Sequence, residues 1–247
     1  MSDLLPYLPE FLGVIAVLWM VSISGRFKYR QIGFVYARRD GVIALSLWLL
    51  ALILEIGIFS GVIPIPGMPG AETFNSVAPI LSIQPAAAVL ALLVVLASML
   101  YRRQPPKSAG WNRLTLRTGL LAGLSLALLS IFLRAKFTAI FSGVSPVQFS
   151  ALLLVAVTSL AEETVFRGYL QQRLVWWLGK RWGFLLTAGL YLLWRLPLML
   201  AMPPDTLVAN LILTALQSLL LGWIMQSFGN VTAPIVYRVI SLWCSFL

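Results

Sequence analysis

Apolar stretches of about membrane-spanning length recur from one end of this chain to the other. That recurrence restricts its fold more than any other feature. Roughly 20 apolar residues in a helix cross the hydrocarbon core of a bilayer. Only helices and closed barrels keep every backbone polar group paired there. The runs are continuous rather than alternating, which reads as helix. Eight segments qualify, at about 4–24, 41–60, 85–101, 119–133, 147–166, 184–202, 206–228 and 231–247. The expected fold is all-α, a polytopic integral membrane helix bundle of about eight transmembrane helices. Composition agrees: 60% of residues are apolar and 11% charged, against roughly 45–50% and about 25% in soluble domains.

The formal charge of +10 would suit a nucleic-acid binder, but no recognition motif accompanies it. The basic residues instead gather between the apolar runs. Arg26, Lys28, Arg30, Arg38 and Arg39 lie in 25–40, Arg102, Arg103, Lys107, Arg113 and Arg117 in 101–118, and Arg167, Arg173, Lys180 and Arg181 in 167–183. Eight spans put all three stretches on the cytoplasmic side, as the positive-inside rule requires, where anionic lipid is a natural partner. Arg134 and Lys136 alone fall on the opposite side. The start, MSDLLPYLPEF, lacks a basic n-region and reads as the lead-in to a retained first span.

The stretch from Ser60 to Gln84 is rich in proline and glycine and too irregular to span; it reads as an external cap or a re-entrant segment. The basic linker at 101–117 divides the chain into a three-span front, 1–118, and a five-span back, 119–247. No internal repeat suggests a transporter built from two related halves. Gly119 and Gly123 form a small-xxx-small pair able to seat a helix contact. Cys244, the single cysteine, lies in an apolar tail and reads as a packed thiol.

Charges inside the spans are costly and face partners or a wet cavity. Here they are Glu55, Glu162, Glu163, Arg167, Arg195 and Arg238. Glu163 and Arg167 are four residues apart, on one helix face, and Glu162 points about 100° away. A doublet of this kind suits two readings. One is a general base acting on water; the other is an ion-pair network that locks helices together. Glu55 reads as a packed acid lining the cavity.

The surroundings of the doublet narrow the choice. The EExxxR string of 162–167 is followed by Gly168, Leu170 and Leu174. A second stretch, YLLWR at 191–195, lies in the next span, and a third, GNVTAPIVYR at 229–238, follows LGWIM at 221–225. In order and spacing these resemble the three motifs of the CPBP family of intramembrane proteases, which includes the type II CAAX prenyl endopeptidases and the bacteriocin-immunity (Abi) proteins. The resemblance covers about 147–247. It implies a prokaryotic multi-pass membrane protein. It also implies catalytic positions at Glu162, Glu163, Arg167, Arg195 and Arg238, and a membrane-embedded or prenylated peptide as partner beside the membrane lipids. In the family, glutamates and histidines activate a water for attack on a peptide bond. Here both motif histidines are arginine, Arg195 and Arg238, and the Asn of the last motif is Leu242.

Arginine changes the chemistry. Neutral imidazole accepts a proton or binds a metal; guanidinium does neither. An Arg beside a glutamate favours its charged form and makes it a weaker base. No metal and no other cofactor is expected, since neither His nor a Cys pair is present. The expected function is therefore that of a CAAX protease-like relative without catalysis. An active glutamate-dependent peptidase with a variant site is the alternative within that class, and a transporter or channel using buried charges is the alternative outside it.

Overall fold

A computed structural model describes residues 7–24, 33–63, 77–200 and 204–247. Residues 64–76 of the irregular stretch expected at 60–84 and the basic residues Arg26, Lys28 and Arg30 lie outside the described residues, the PPD turn at 203–205 lies at their margin, and residues 77–84, expected to be irregular, are helical. Every described element is a helix or a turn: α1 (Leu8–Ser24), α2 (Ala37–Phe59), α3 (Val77–Tyr101), a 3-10 turn (Pro106–Ala109), α4 (Arg113–Leu133), the short α5 (Phe137–Phe141), α6 (Pro146–Glu163), a π-helical segment (Thr164–Leu170), α7 (Gln171–Leu178), α8 (Lys180–Leu200), α9 (Pro204–Phe228) and α10 (Thr232–Trp243).

The protein is an all-helical, multi-pass membrane protein. Among the described residues, six stretches are long and apolar enough to cross a bilayer: Ala37–Phe59, Ile83–Tyr101, Pro106–Leu133, Pro146–Leu178, Lys180–Leu200 and Thr206–Phe228. Among the described residues, the first and last of the eight expected spans are shorter than these six. The α10 helix has 12 residues, about 18 Å of rise against ~30 Å of hydrocarbon, and α1 has 17. Large apolar side chains such as Leu49, Leu50, Ile53 and Ile56 of α2 face outward, as lipid contact requires.

The fifth expected span differs more. Instead of ending near Phe166 in a cytoplasmic loop, the helix continues through the π segment and α7 to Leu178. Arg167 and Arg173, counted from sequence in the basic stretch 167–183, are fully buried. Of the basic residues in that stretch, only Lys180 and Arg181 are exposed. The continuation is possible because Gly168 lets the 3-10 turn come against the π segment. A Cβ there would fall on the Ala109 carbonyl. Ser108 and Ala109 are buried in this contact, so part of the expected basic linker is a packing element.

The last helix is held where it can reach the centre of the bundle. Asn230 accepts from the Thr232 N–H at 3.0 Å and donates to the Asn112 carbonyl at 2.7 Å, which joins the start of α10 to the start of α4. Gly119 and Gly123 present a bare face to α10. A Cβ at Gly119 would meet Thr232 Oγ1 at 2.6 Å, and one at Gly123 would meet Val236 Cβ at 2.9 Å. The small-xxx-small pair thus seats α10 against α4, as expected.

Arg134, the exception to the positive-inside pattern, has an internal explanation. Its Nε lies 3.6 Å from Glu10 Oε2, Nη1 donates to the Ser241 carbonyl, and its guanidinium stacks on Tyr7 at 4.3 Å. Ser130 donates to the other Glu10 oxygen at 3.0 Å. A charge consumed in an ion pair that joins α1, α4 and the end of α10 is not a free topological signal. Cys244 beside it is free and buried, as a packed thiol should be.

Candidate functional site

The site forms where α6, the π segment, α8 and α10 meet. A capping box starts α6: the Ser145 side chain accepts from the Gln148 N–H while the Gln148 side chain accepts from the Ser145 N–H, with Pro146 in the first turn. This fixes where the helix begins and so where its last two residues, Glu162 and Glu163, end up. Both are buried. Arg167 follows in the π segment, a helix form often found at functional sites. Arg195 lies in α8, two residues before the helix-internal Pro197. Arg238 comes from α10 and is fully buried.

Arg238 joins the doublet. Its Nη1 donates to Glu163 Oε1 at 2.6 Å and its Nη2 to Glu162 Oε2. The two carboxylates that diverge along the helix are thus collected by one planar fork, a geometry that guanidinium provides and imidazole cannot. Arg167 Nε lies 3.4 Å from Glu163 Oε2, and its Nη2 donates to Ser218 at 2.9 Å. Arg195 Nη2 lies 3.6 Å from Glu162 Oε2. All five residues singled out from sequence are therefore brought together. Leu242 and Ser241, near the expected Asn position, contribute nothing here; the Ser241 carbonyl serves Arg134 instead.

Three further side chains complete the coordination of Glu162. Gln84 Nε2 donates to Oε1 at 3.0 Å and Trp194 Nε1 to the same oxygen at 3.3 Å. Tyr191 donates to Oε2 at 2.9 Å. The Tyr191 hydroxyl in turn accepts from Arg195 Nε at 3.0 Å and from Arg238 Nη2 at 2.6 Å. One donor and two acceptor positions are all that a phenol offers, so this hydroxyl is saturated. An ionised carboxylate has about four lone-pair positions, and Glu162 has four hydrogen-bond donors, Gln84, Trp194, Tyr191 and Arg238. Nothing is left on it to take a proton from water. On Glu163, Oε2 keeps spare capacity, since the contact with Arg167 lacks hydrogen-bond geometry.

Glu55 of α2 is also buried and close enough to interact with the charges of Glu162 and Arg195. Its Oε2 has no hydrogen-bond partner among the described residues. The two ion-paired glutamates, with the Glu55 carboxyl beside them, thus face three guanidiniums. The sequence pattern does not single out Gln84, Trp194 or Ser218, and it marks Tyr191 only as a motif position. For Tyr191 a signal exists: it is a hydroxyl-bearing ring four residues before a buried arginine. For Gln84, 78 positions from Glu162, nothing local gives one.

The donor set does not suit a transition metal. Among the described residues, no group of three or more His, Cys, Asp or Glu side chains is placed to hold a metal ion. The strongest ligands present, the two glutamates, are held by arginines that repel a cation. Purified wild-type protein is expected to carry no stoichiometric zinc by elemental analysis. Zinc that is lost in Glu162→Ala would contradict this.

Residues 145–243 match the family model described as type II CAAX prenyl endopeptidase Rce1-like. This stretch, less than half of the chain, is similar to that family. The match begins at the capping Ser145 and ends at Trp243, the last residue of α10, so it takes in every charged member of the cluster except Glu55. It also lies within a few residues of the 147–247 region marked out by the motifs. No curated protein and no solved structure matches the chain. The matched stretch receives two outside contributions, Gln84 and Glu55, from the front of the chain.

Proposed function

We propose that this protein is a CAAX protease-like intramembrane endopeptidase relative that no longer hydrolyses peptide bonds, and that its Rce1-like bundle serves as a binding scaffold for a membrane-embedded or prenylated peptide. The observation that supports this reading is the saturation of Glu162. Its acceptor positions are all engaged by donors, two of them on Tyr191 and Arg238. A general base needs a free lone pair and a path for water. Glu162, Glu163, Arg167 and Arg238 are each almost wholly buried, and Arg238 bridges the two carboxylates.

The test is a cleavage assay of the purified full chain against a panel of membrane-spanning and prenylated peptides, with Glu162→Ala and Glu163→Ala as controls. No turnover above the two controls is expected, while at least one peptide is retained saturably. Robust cleavage that both substitutions abolish would establish the active variant-site peptidase instead. Ion flux that depends on Glu162 would establish a transport role.

A further inference from the structure

A second feature lies at the end of the bundle where the exposed basic residues gather, away from the Glu–Arg cluster. There the start of α2, the end of α3 and the 3-10 turn enclose a cleft of about 710 Å³. Three cations, Arg39, Arg102 and Lys107, line it, with the rings of Phe34, Tyr36 and Tyr101. Its single lining carboxylate, Asp40, is taken by Arg102. Among the described residues neither Arg39 nor Lys107 has a carboxylate partner, and the Nη1 of Arg102 is buried without a hydrogen bond.

A fourth cation stands behind the wall. Arg173 is fully buried, yet it bonds only neutral oxygens: the carbonyls of Ser108 and Tyr169, each at 2.9 Å, and Gln104 Oε1 at 2.7 Å. Ser108 and Gln104 themselves line the cleft, and the Arg173 guanidinium lies 4.8 Å from the centre of the lining Phe34 ring. Four cations therefore act on a space with one carboxylate. A buried charge without a counter-charge is costly, and low-dielectric walls focus its field into the open cleft. An anion placed there relieves both.

The rim indicates how that anion is carried. Val35 and Tyr101, which line the cleft, are 90% and 91% exposed, and the adjacent Leu100 is 78% exposed. This apolar edge beside a basic, aromatic-lined hollow matches the junction of headgroup and acyl chain, and the volume falls in the ~300–1,000 Å³ range of small-ligand sites. We propose that this cleft binds the phosphate of an anionic phospholipid, with Arg39, Arg102 and Lys107 as its donors and Arg173 as the charge behind them. Such binding is independent of whether the Glu–Arg cluster hydrolyses peptides.

Binding of dioctanoyl-phosphatidylglycerol to the full chain in neutral detergent, followed by calorimetry, tests it, with dioctanoyl-phosphatidylcholine and inorganic phosphate as parallel titrants. Saturable one-to-one binding of the anionic lipid is expected, at least about tenfold tighter than of the zwitterionic one. The exposed pair Arg39→Gln/Lys107→Gln should weaken it about thirtyfold, from about 1 kcal/mol for each surface cation removed. The pair Lys180→Gln/Arg181→Gln, which removes two exposed cations that do not line the cleft, should change it less than about twofold, and thermal unfolding checks that both double variants stay folded. Equal losses in the two double variants would reduce the effect to general surface charge and overturn the proposal, as would absence of saturable binding. Inorganic phosphate that binds as tightly as the lipid would overturn the lipid assignment in favour of a soluble phosphate.

Discussion

Replacing Arg238 by alanine is expected to destabilise the detergent-solubilised protein by about 3–5 kcal/mol. Arg238 is wholly buried and holds both Glu162 and Glu163. Its removal leaves Glu162 with the more distant Arg195 at 3.6 Å and Glu163 with the poorly aligned Arg167 at 3.4 Å. The Tyr191 hydroxyl loses an acceptor role at the same time. The magnitude reflects this uncompensated charge rather than the net worth of the cluster, because a buried ion pair intact adds little to stability over an apolar replacement. At about 2–4 °C per kcal/mol for a chain of this size, the thermal midpoint should fall by on the order of 10 °C. Adding Glu162→Gln and Glu163→Gln to Arg238→Ala should return part of the loss, since the orphaned charges disappear with their partner. A loss below about 1 kcal/mol for Arg238→Ala would mean that water reaches the cluster and screens it.

Much of this site is legible in the amino-acid sequence. Hydropathy places the helices, because a membrane leaves the backbone few alternatives. The cost of charge in lipid then requires Glu162, Glu163, Arg195 and Arg238 to meet, and the spacing of three motifs says which segments bring them together. Other features are not legible, each for a physical reason. The helix continuing past Phe166 depends on the Ala109 carbonyl packing on Gly168, a contact made across the chain. The same contact buries Arg173, so a loop charge and a buried one look alike in sequence. The short α10 has the hydropathy of a span but stops at Trp243, followed by turns to Phe246. Finally, Gln84 reads as the end of an irregular stretch and Trp194 as an ordinary helix residue until α3 and α8 are placed beside α6. Their role as donors to Glu162 is a property of tertiary packing alone.

Glu162→Gln separates a locked cluster from a working active site by the sign of its effect on stability. Catalytic groups are commonly held in strained or underused surroundings, so replacing one tends to leave stability unchanged or raise it, while turnover falls by about 10²–10⁴. Here both outcomes should reverse. The four donors around Glu162 all require acceptors. Glutamine keeps the shape but turns one oxygen into an NH₂ group. If that group takes the Oε1 position it faces the Trp194 N–H, which can never accept; if it takes the Oε2 position it faces Arg238, which cannot accept either. Either orientation sets donor against donor in a buried place. An unsatisfied buried donor costs about 1–3 kcal/mol, and Arg238 also loses half of its counter-charge. Glu162→Gln is therefore expected to lower stability by about 3 kcal/mol in a chemical or thermal unfolding measurement, with peptide turnover at the same background as the unmodified protein. A variant that is as stable as the parent, or more so, and that has lost a measurable cleavage activity would instead identify Glu162 as a functioning base.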